Sequence, residues 1–304
     1  MSSGRCLIQS IFSTVPKSKP LRIRKETCRV QTKERFSTSV SESEVQKFNA
    51  LHSEWWDPKK NPLIQMNTVR VQYIREQVAA QAFNTNTDDD EKLPVSPISP
   101  PFRGLKMLDV GCGGGVLSES LFRLGASEVT GIDPSKDLLR VAQQRAETLL
   151  ATATNNQKPN YQCTTAEEWA VQRPQHYDVV CIMDVIEHIP QLDSVFSAIS
   201  TLLKPNGILF VSTLNRTALS YALSIVGAEY VMGYVPVGTH DWNYYRSPSE
   251  VQDIFQPFSL QQSHIAGMVL RKPPLLTWDW KLDTNDTNIN WIATYQLKQR
   301  IKQQ

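Results

Sequence analysis

The chain has 304 residues, 40% of them hydrophobic and 20% charged, with a formal net charge of +2. Such a length holds one large domain or two small ones, and the apolar share is enough for a buried core. The near-neutral balance excludes a generally basic nucleic-acid binder, and no apolar run approaches the ~20 residues of a membrane-spanning helix.

The charge is unevenly spread. Residues 1–36 carry nine basic side chains, from Arg5 to Arg35, against two acids, Glu26 and Glu34, a local balance of +7. The remaining 268 residues carry 23 basic and 28 acidic groups, a balance of −5. The N-terminal segment is rich in Arg and Ser, poor in acid, and lacks the apolar core of a secretory signal. That is the composition of a mitochondrial transit peptide. Arg35-Phe36-Ser37 resembles a matrix-protease cleavage site, which sets the expected boundary after residue 36. A basic tail binding anionic surfaces is the plainer alternative. The five cysteines are scattered without a C-x-x-C pair, which suggests neither a zinc knuckle nor a redox dithiol. They fit a reducing compartment.

Residues 42–57 and 62–82 read as two helices separated by Pro58 and Pro62. The first places Val45, Phe48, Leu51 and Trp55 near one helical face. Residues 84–101 break the pattern. The acids Asp88, Asp89, Asp90 and Glu91 are followed by Pro94, Pro97, Pro100 and Pro101, and almost nothing there is apolar. This stretch is expected to be a disordered insertion. Its acid run lacks the alternating ligands and mid-loop glycine of a calcium loop.

From Leu105 onward short apolar runs alternate with amphipathic stretches. The strands expected are 106–110, 128–132, 161–164, 177–183, 208–213, 260–269 and 290–295. The helices expected are 116–124, 135–150, 166–172, 192–203 and 248–255. This alternation predicts an α/β fold: a seven-stranded, mostly parallel sheet with helices on both faces. Ligands of such sheets bind beyond the C-terminal strand ends, at the topological switch point.

Residues 108–115, Leu-Asp-Val-Gly-Cys-Gly-Gly-Gly, fall between the first strand and the helix after it. Glycines there permit a tight turn and a close approach of backbone to ligand. A dinucleotide fingerprint would place its third glycine at position 116, which is Val116, and the phosphate-loop lysine is missing. A nucleoside without phosphates is favoured over NAD. Asp133, closing the second strand, can accept both ribose hydroxyls, and can equally cap the helix that begins at Ser135.

The fourth strand ends at Met183 and is followed by Asp184-Val-Ile-Glu187-His188. An incipient helical turn would bring the two carboxylates together beside the imidazole. Such a trio suits a divalent cation, while His188 alone suits a general base, with Glu187 beside it. A polar helix start is the plainer alternative. Residues 218–226 and 230–235 are rich in Leu, Ile, Val, Met and Tyr but too short to span a bilayer. The stretch 215–241 is either a lid with a membrane-contacting face or a core helix over the site. His240-Asp241 at its end shapes the pocket or caps a loop.

Asp109-x-Gly111-x-Gly113-x-Gly115 with Asp133 resembles the class I, Rossmann-like S-adenosylmethionine-dependent methyltransferases. Further residues narrow the resemblance. Phe48, Trp55-Trp56-Asp57, Met66-Asn67, Arg70, Tyr73-Ile74, Asp184 to His188, Ser212 to Arg216, Gly227 to Tyr230, Pro236 and Gly238 to Asp241 stand in one order. Together they resemble the ubiquinone-biosynthesis O-methyltransferases over residues 44–295. The resemblance implies one catalytic domain over residues 37–304 and methylation of polyprenylated dihydroxybenzoate and demethylubiquinol hydroxyls. It implies S-adenosylmethionine bound by Arg70, Asp109, Gly111, Gly113, Asp133 and Met183, with Arg70 at the methionine end. It also implies a magnesium-type cation at Asp184, Glu187 and His188. Many relatives carry Glu where this chain has Asp184. The implied setting is the matrix face of the mitochondrial inner membrane, within a multi-subunit biosynthetic complex and without nucleic acid. A methyltransferase for another phenolic acceptor and a non-catalytic scaffold are the competing functions.

Overall fold

The computed structural model describes residues 39–84, 100–150, 158–271 and 278–298. The expected leader and nearly all of the expected 84–101 insertion lie outside these residues. Eight strands form one sheet in the order β3-β2-β1-β4-β5-β8-β6-β7. They are β1 Lys106–Val110, β2 Glu128–Asp133, β3 Asn160–Cys163, β4 Tyr177–Met183, β5 Leu203–Leu214, β6 Leu260–Leu270, β7 Trp280–Asp283 and β8 Asn290–Leu297. The first five are mutually parallel, and β8, β6 and β7 add antiparallel pairs. Seven of the eight follow the sequence reading; β7 is additional and pairs with the end of β6, Leu270 opposite Trp280.

The parallel strands are buried on both faces, so successive residues feed two separate cores. Leu108, Val110, Val180 and Ile182 pack with Trp169, Phe196 and Phe255 from the helices α5 (Ala166–Gln172), α6 (Leu192–Leu202) and α8 (Pro248–Phe255). Met107, Val179 and Cys181 pack instead with α2 (Pro62–Asn84) and α3 (Val116–Arg123). Met66, Val69, Tyr73, Ile74 and Val78 of α2 recur at three and four residues, one apolar stripe on the sheet. Register levels the strand ends: Val110 lies opposite Ile132 and Ile182, and Met183 opposite Ser212. Asp133, Asp184 and Asn215 therefore emerge along one edge.

The segment expected as one helix over 42–57 is shorter. Helix α1 spans Glu42–Ala50, and a 3-10 turn follows at His52–Glu54. Leu51 N–H donates to the Phe48 carbonyl, and the His52 ring meets the Asn49 carbonyl at 2.7 Å, tightening the last turn. The apolar spacing runs on through this turn, which hid the break. After β5, α7 (Ala218–Ser220) starts on the Thr217 side chain and continues as a π-helical stretch, Tyr221–Val231. Among the described residues no helix is long and apolar enough to cross a membrane.

Candidate active site

The turn after β1 is closed by two N–H donors, Gly111 and Cys112, on the Ile132 carbonyl at 2.8 and 3.1 Å. Gly111 and Gly113 have φ of +71° and +52°, conformations that other residues adopt only under strain. A Cβ on Gly111 would lie 2.5 Å from Val185, and one on Gly114 would lie 2.2 Å from Trp55. The glycines thus make room for this protein's own side chains as well as for a ligand. Trp56 Nε1 donates to the Gly114 carbonyl at 2.9 Å, and the Arg145 guanidinium sits 4.1 Å from the Trp56 ring centre. The turn after α1 is thereby fastened to the glycine loop.

Asp133 is buried and accepts from the backbone at the helix start, the capping role expected of it. Its carboxylate accepts from Gly113 N–H at 2.9 Å and Ser135 N–H at 2.7 Å, joining the loop to the start of α4 (Lys136–Leu150). Burial raises its pKa to about 6. Each oxygen keeps a lone pair for a ribose hydroxyl. Asp109 is also buried, accepts from Ser118 Oγ at 2.6 Å, and is pushed up to about 7 by desolvation.

Arg70 rises from α2 into the space below the β4 end. It pairs with Asp184, contacts Met66 Sδ at 3.2 Å, and leaves its Nε without a hydrogen-bond partner. Burial lowers its pKa only to about 10, so it stays charged. An orphaned, buried guanidinium N–H suits the carboxylate of a methionine moiety. Gly111, Gly113, Asp133 and Met183 line a cavity of about 160 Å³ at this edge. The buried carboxylates, the glycine turn and the free Arg70 donor fit S-adenosylmethionine, which brings an ammonium, a ribose and a carboxylate.

The three residues expected to hold a cation are placed differently. Asp184 adopts a left-handed φ of +52°, pairs with Arg70 and accepts from Ser212 Oγ at 3.0 Å. Glu187 accepts from Thr213 Oγ1 at 2.8 Å, and burial raises it to about 7. His188 Nδ1 meets Glu44 at 3.0 Å. Among the described residues no three His, Cys, Asp or Glu side chains converge as a metal-holding group. The donor types suit magnesium but their arrangement does not fit it, because the Arg70 guanidinium is the cation these carboxylates face. The turn Ile186–His188 is 3-10, and it sends Glu187 and Asp184 to different partners.

A second, larger cavity of about 630 Å³ opens beside the first. Asp184, Glu187, His188 and His240 form its polar end, and Leu223, Met232, Trp278 and Trp280 belong to its apolar part. His240 lines this cavity, while Asp241 caps the next turn by accepting from Asn243 N–H at 2.9 Å. Two carboxylates had no assigned role in the sequence. Glu44 holds His188. Glu229, 4% exposed, accepts from Gly238 N–H at 2.6 Å, His240 N–H at 2.9 Å and His240 Nδ1 at 2.9 Å, so it ties the π-helical stretch to the pocket rim. Glu229 stands in the run 227–230 that carries the resemblance; Glu44 leaves no local signal, being 144 residues from its partner.

Comparison with known proteins shows the family and the fold. A methyltransferase-domain family model matches residues 74–263. The ubiquinone biosynthesis O-methyltransferase of Cereibacter sphaeroides is 40% identical over 259 residues, 84% of this chain and 96% of that one. A mitochondrial ubiquinone biosynthesis O-methyltransferase of Dictyostelium discoideum is 37% identical over 254 residues, 82% of this chain and 75% of that one. A solved methyltransferase of Thermotoga maritima, described as SAM-dependent and a possible histamine N-methyltransferase, superposes with a TM-score of 0.55 at 12% identity, covering 84% of this chain and all (100%) of its own. Magnesium protoporphyrin IX methyltransferase of Synechocystis with bound SAH gives 0.53 at 21% identity, covering 83% and 96%. These two structures show the fold, the class I methyltransferase fold; the relatives show more. Glycine turn, buried acids and sequence likeness converge, and the chain belongs to the ubiquinone biosynthesis O-methyltransferases, S-adenosylmethionine-dependent enzymes.

Proposed function

We propose that this enzyme methylates a phenolic hydroxyl of polyprenylated dihydroxybenzoate and demethylubiquinol. The observation that carries this reading is the junction of the two cavities at His188. One has the turn glycines Gly111 and Gly113, the acid Asp133 and Met183 that suit the cofactor, and its Asp184 is paired with the buried Arg70 behind it. The other is wide, apolar and long enough in aromatic lining for a prenylated ring. When bound, the cofactor supplies an electrophilic methyl on a sulfonium.

The chain's part is to remove a proton and set a line of attack. A phenol titrates near pH ~10 and is a weak nucleophile while protonated. His188 lines both cavities, and its Nδ1 is engaged by Glu44, so Nε2 is the atom available to take the proton. Burial lowers the His188 pKa, which keeps the imidazole neutral and able to accept. Glu187, raised to about 7, stays near the wall as a reserve proton acceptor. The deciding experiment is transfer to a prenylated catechol in excess chelator and again with magnesium. Turnover that survives chelation supports His188 as the base. Loss that magnesium restores assigns proton removal to a cation that must draw Asp184 from Arg70 and His188 from Glu44.

The substrate's tail places the enzyme at a lipid surface. Leu219, Leu223, Val226, Tyr230 and Val231 around the π-helical stretch, spaced mostly three or four residues apart, are 49%, 46%, 44%, 66% and 75% exposed. Because residues 37–304 carry a balance of −5, attraction to anionic lipid is not the driving term. Apolar insertion of this face into the matrix leaflet of the mitochondrial inner membrane is the proposed contact. The basic 1–36 segment serves as the address, and a multi-subunit biosynthetic complex as the surroundings. The mitochondrial name of the Dictyostelium relative supports the compartment. Tyr230→Asp with Val231→Asp is expected to abolish co-sedimentation with neutral phospholipid vesicles while turnover on a short-tailed catechol persists. Unchanged vesicle binding by the folded double variant would remove this contact.

A further inference from the structure

The two cavities share one wall. Phe48, Trp55, Leu63, Asp184 and His188 line both, and among the described residues no other does. A methyl leaving the cofactor cavity for an acceptor in the larger one has to cross that wall. Its polar members are already engaged: Asp184 is paired with Arg70, and His188 is bonded to Glu44. Leu63 offers no charge. The remaining members are two aromatic rings, edge to face, with centres 6.4 Å apart at 71°, and Phe48 also stands 4.9 Å from the His188 ring at 88°.

These rings are held in place by residues with little other reason to be as they are. Trp55 lies against Gly113 and Gly114, where any Cβ would collide with its indole at 2.5 and 2.2 Å. Asn61 Nδ2 donates to the Trp55 carbonyl at 2.8 Å, and the neighbouring Trp56 is locked onto Gly114 and Arg145. A bare glycine at position 114 has no need of a positive φ, so its job is to seat Trp55.

We propose that Phe48 and Trp55 form an aromatic partition that reads the charge of the methyl donor. This deepens the reading above and rests on it. In the transfer an oxygen lone pair forms the new C–O bond, the C–S pair stays on sulfur, and the phenolic proton goes to His188. The sulfur passes from a cation to a neutral thioether. Aromatic quadrupoles attract the first and are indifferent to the second. The partition therefore holds S-adenosylmethionine at the wall and releases S-adenosylhomocysteine, while the one carboxylate among the shared lining residues, Asp184, stays paired with Arg70.

Titration calorimetry of the full chain with both ligands tests this, on Trp55→Leu, Phe48→Leu and Trp55→Phe. Leucine keeps apolar bulk and loses the ring. Each leucine variant is expected to bind S-adenosylmethionine roughly tenfold more weakly, the size of a desolvated cation–π contact, and S-adenosylhomocysteine within about threefold of the parent. Trp55→Phe is expected to recover most of the difference. Equal loss for both ligands, or a Trp55→Phe variant that behaves as Trp55→Leu, would overturn the partition and leave the rings as packing. If one leucine variant does not fold, the other and Trp55→Phe still decide. A parent chain that binds neither ligand would overturn the cofactor reading itself.

Discussion

Replacing His188 by Ala is expected to lower kcat by about 10²–10⁴-fold, the usual span for a lost general base, with a small change in affinity for the cofactor. The argument is geometric. His188 is the titratable group common to both cavities that can accept a proton, since Asp184 is committed to Arg70. Its orientation depends on Glu44, whose carboxyl is held down to about 2, first by the hydrogen bond with His188, and so stays ionised at every working pH. Glu44→Gln keeps the shape of that contact and removes the charge. The charge raises the His188 pKa against the larger lowering effect of burial. Without it the pKa falls further, so the acid limb of the kcat profile is expected to move to lower pH while the plateau drops. An acid limb that stays in place would show that His188 is not the titrating base. This prediction also gives α1 a role beyond covering the sheet, because Glu44 lies on it and Asn49, at its end, bonds to Ser135 beside Asp133. One short helix touches the base and the cofactor edge together.

What could be read in advance followed from how strongly each feature is written into neighbouring residues. The strands from β1 to β6 and β8 were legible because apolar runs are punctuated by glycine and proline, and buried parallel strands leave no polar positions to blur them. The strand β7 was not, because Trp280-Lys-Leu-Asp283 is four residues long and half-buried throughout. The glycine turn and Asp133 were legible as positions, and both stand at the C-terminal edge of the parallel strands. The reading of Asp184, Glu187 and His188 as one cluster used local spacing alone. It missed that Arg70, far upstream on α2, brings a cation to the same wall. Glu44 on His188 and Trp55 on Gly114 share that property. Each is a contact between distant segments, set by how the N-terminal elements fold over the sheet edge. Propensity and period carry no record of such pairs.

The same buried cation predicts the largest stability effect. Arg70→Met is expected to destabilise the fold by about 3–5 kcal/mol, the cost of leaving buried charge unpaired, or roughly 10 °C or more in Tm. Its side chain is 5% exposed and faces three carboxyls: it pairs with Asp184 and attracts Glu187 and Asp109. The pH dependence identifies the cause. Asp109 and Glu187 each titrate at about 7 in the fold, above their ordinary values of 3.8 and 4.5. Between roughly pH 4 and 7 the native state therefore binds more protons than the unfolded chain, and stability falls as pH rises through that window. Arg70 opposes this by favouring the ionised forms. Removing it pushes both carboxyls higher still, extending the window upward, so the deficit of the variant should be small at pH 5 and largest at pH 8. Arg70→Lys retains the charge but lacks the free Nε donor. It should recover much of the stability at pH 8 without recovering cofactor binding, which is expected to fall by about a hundredfold in Arg70→Met, as for a charge-assisted hydrogen bond. Thermal unfolding at both pH values, with and without S-adenosylmethionine, measures all of this. A deficit independent of pH would mean that Arg70 acts by packing, and equal ligand-induced stabilisation of parent and variant would remove it from the cofactor site.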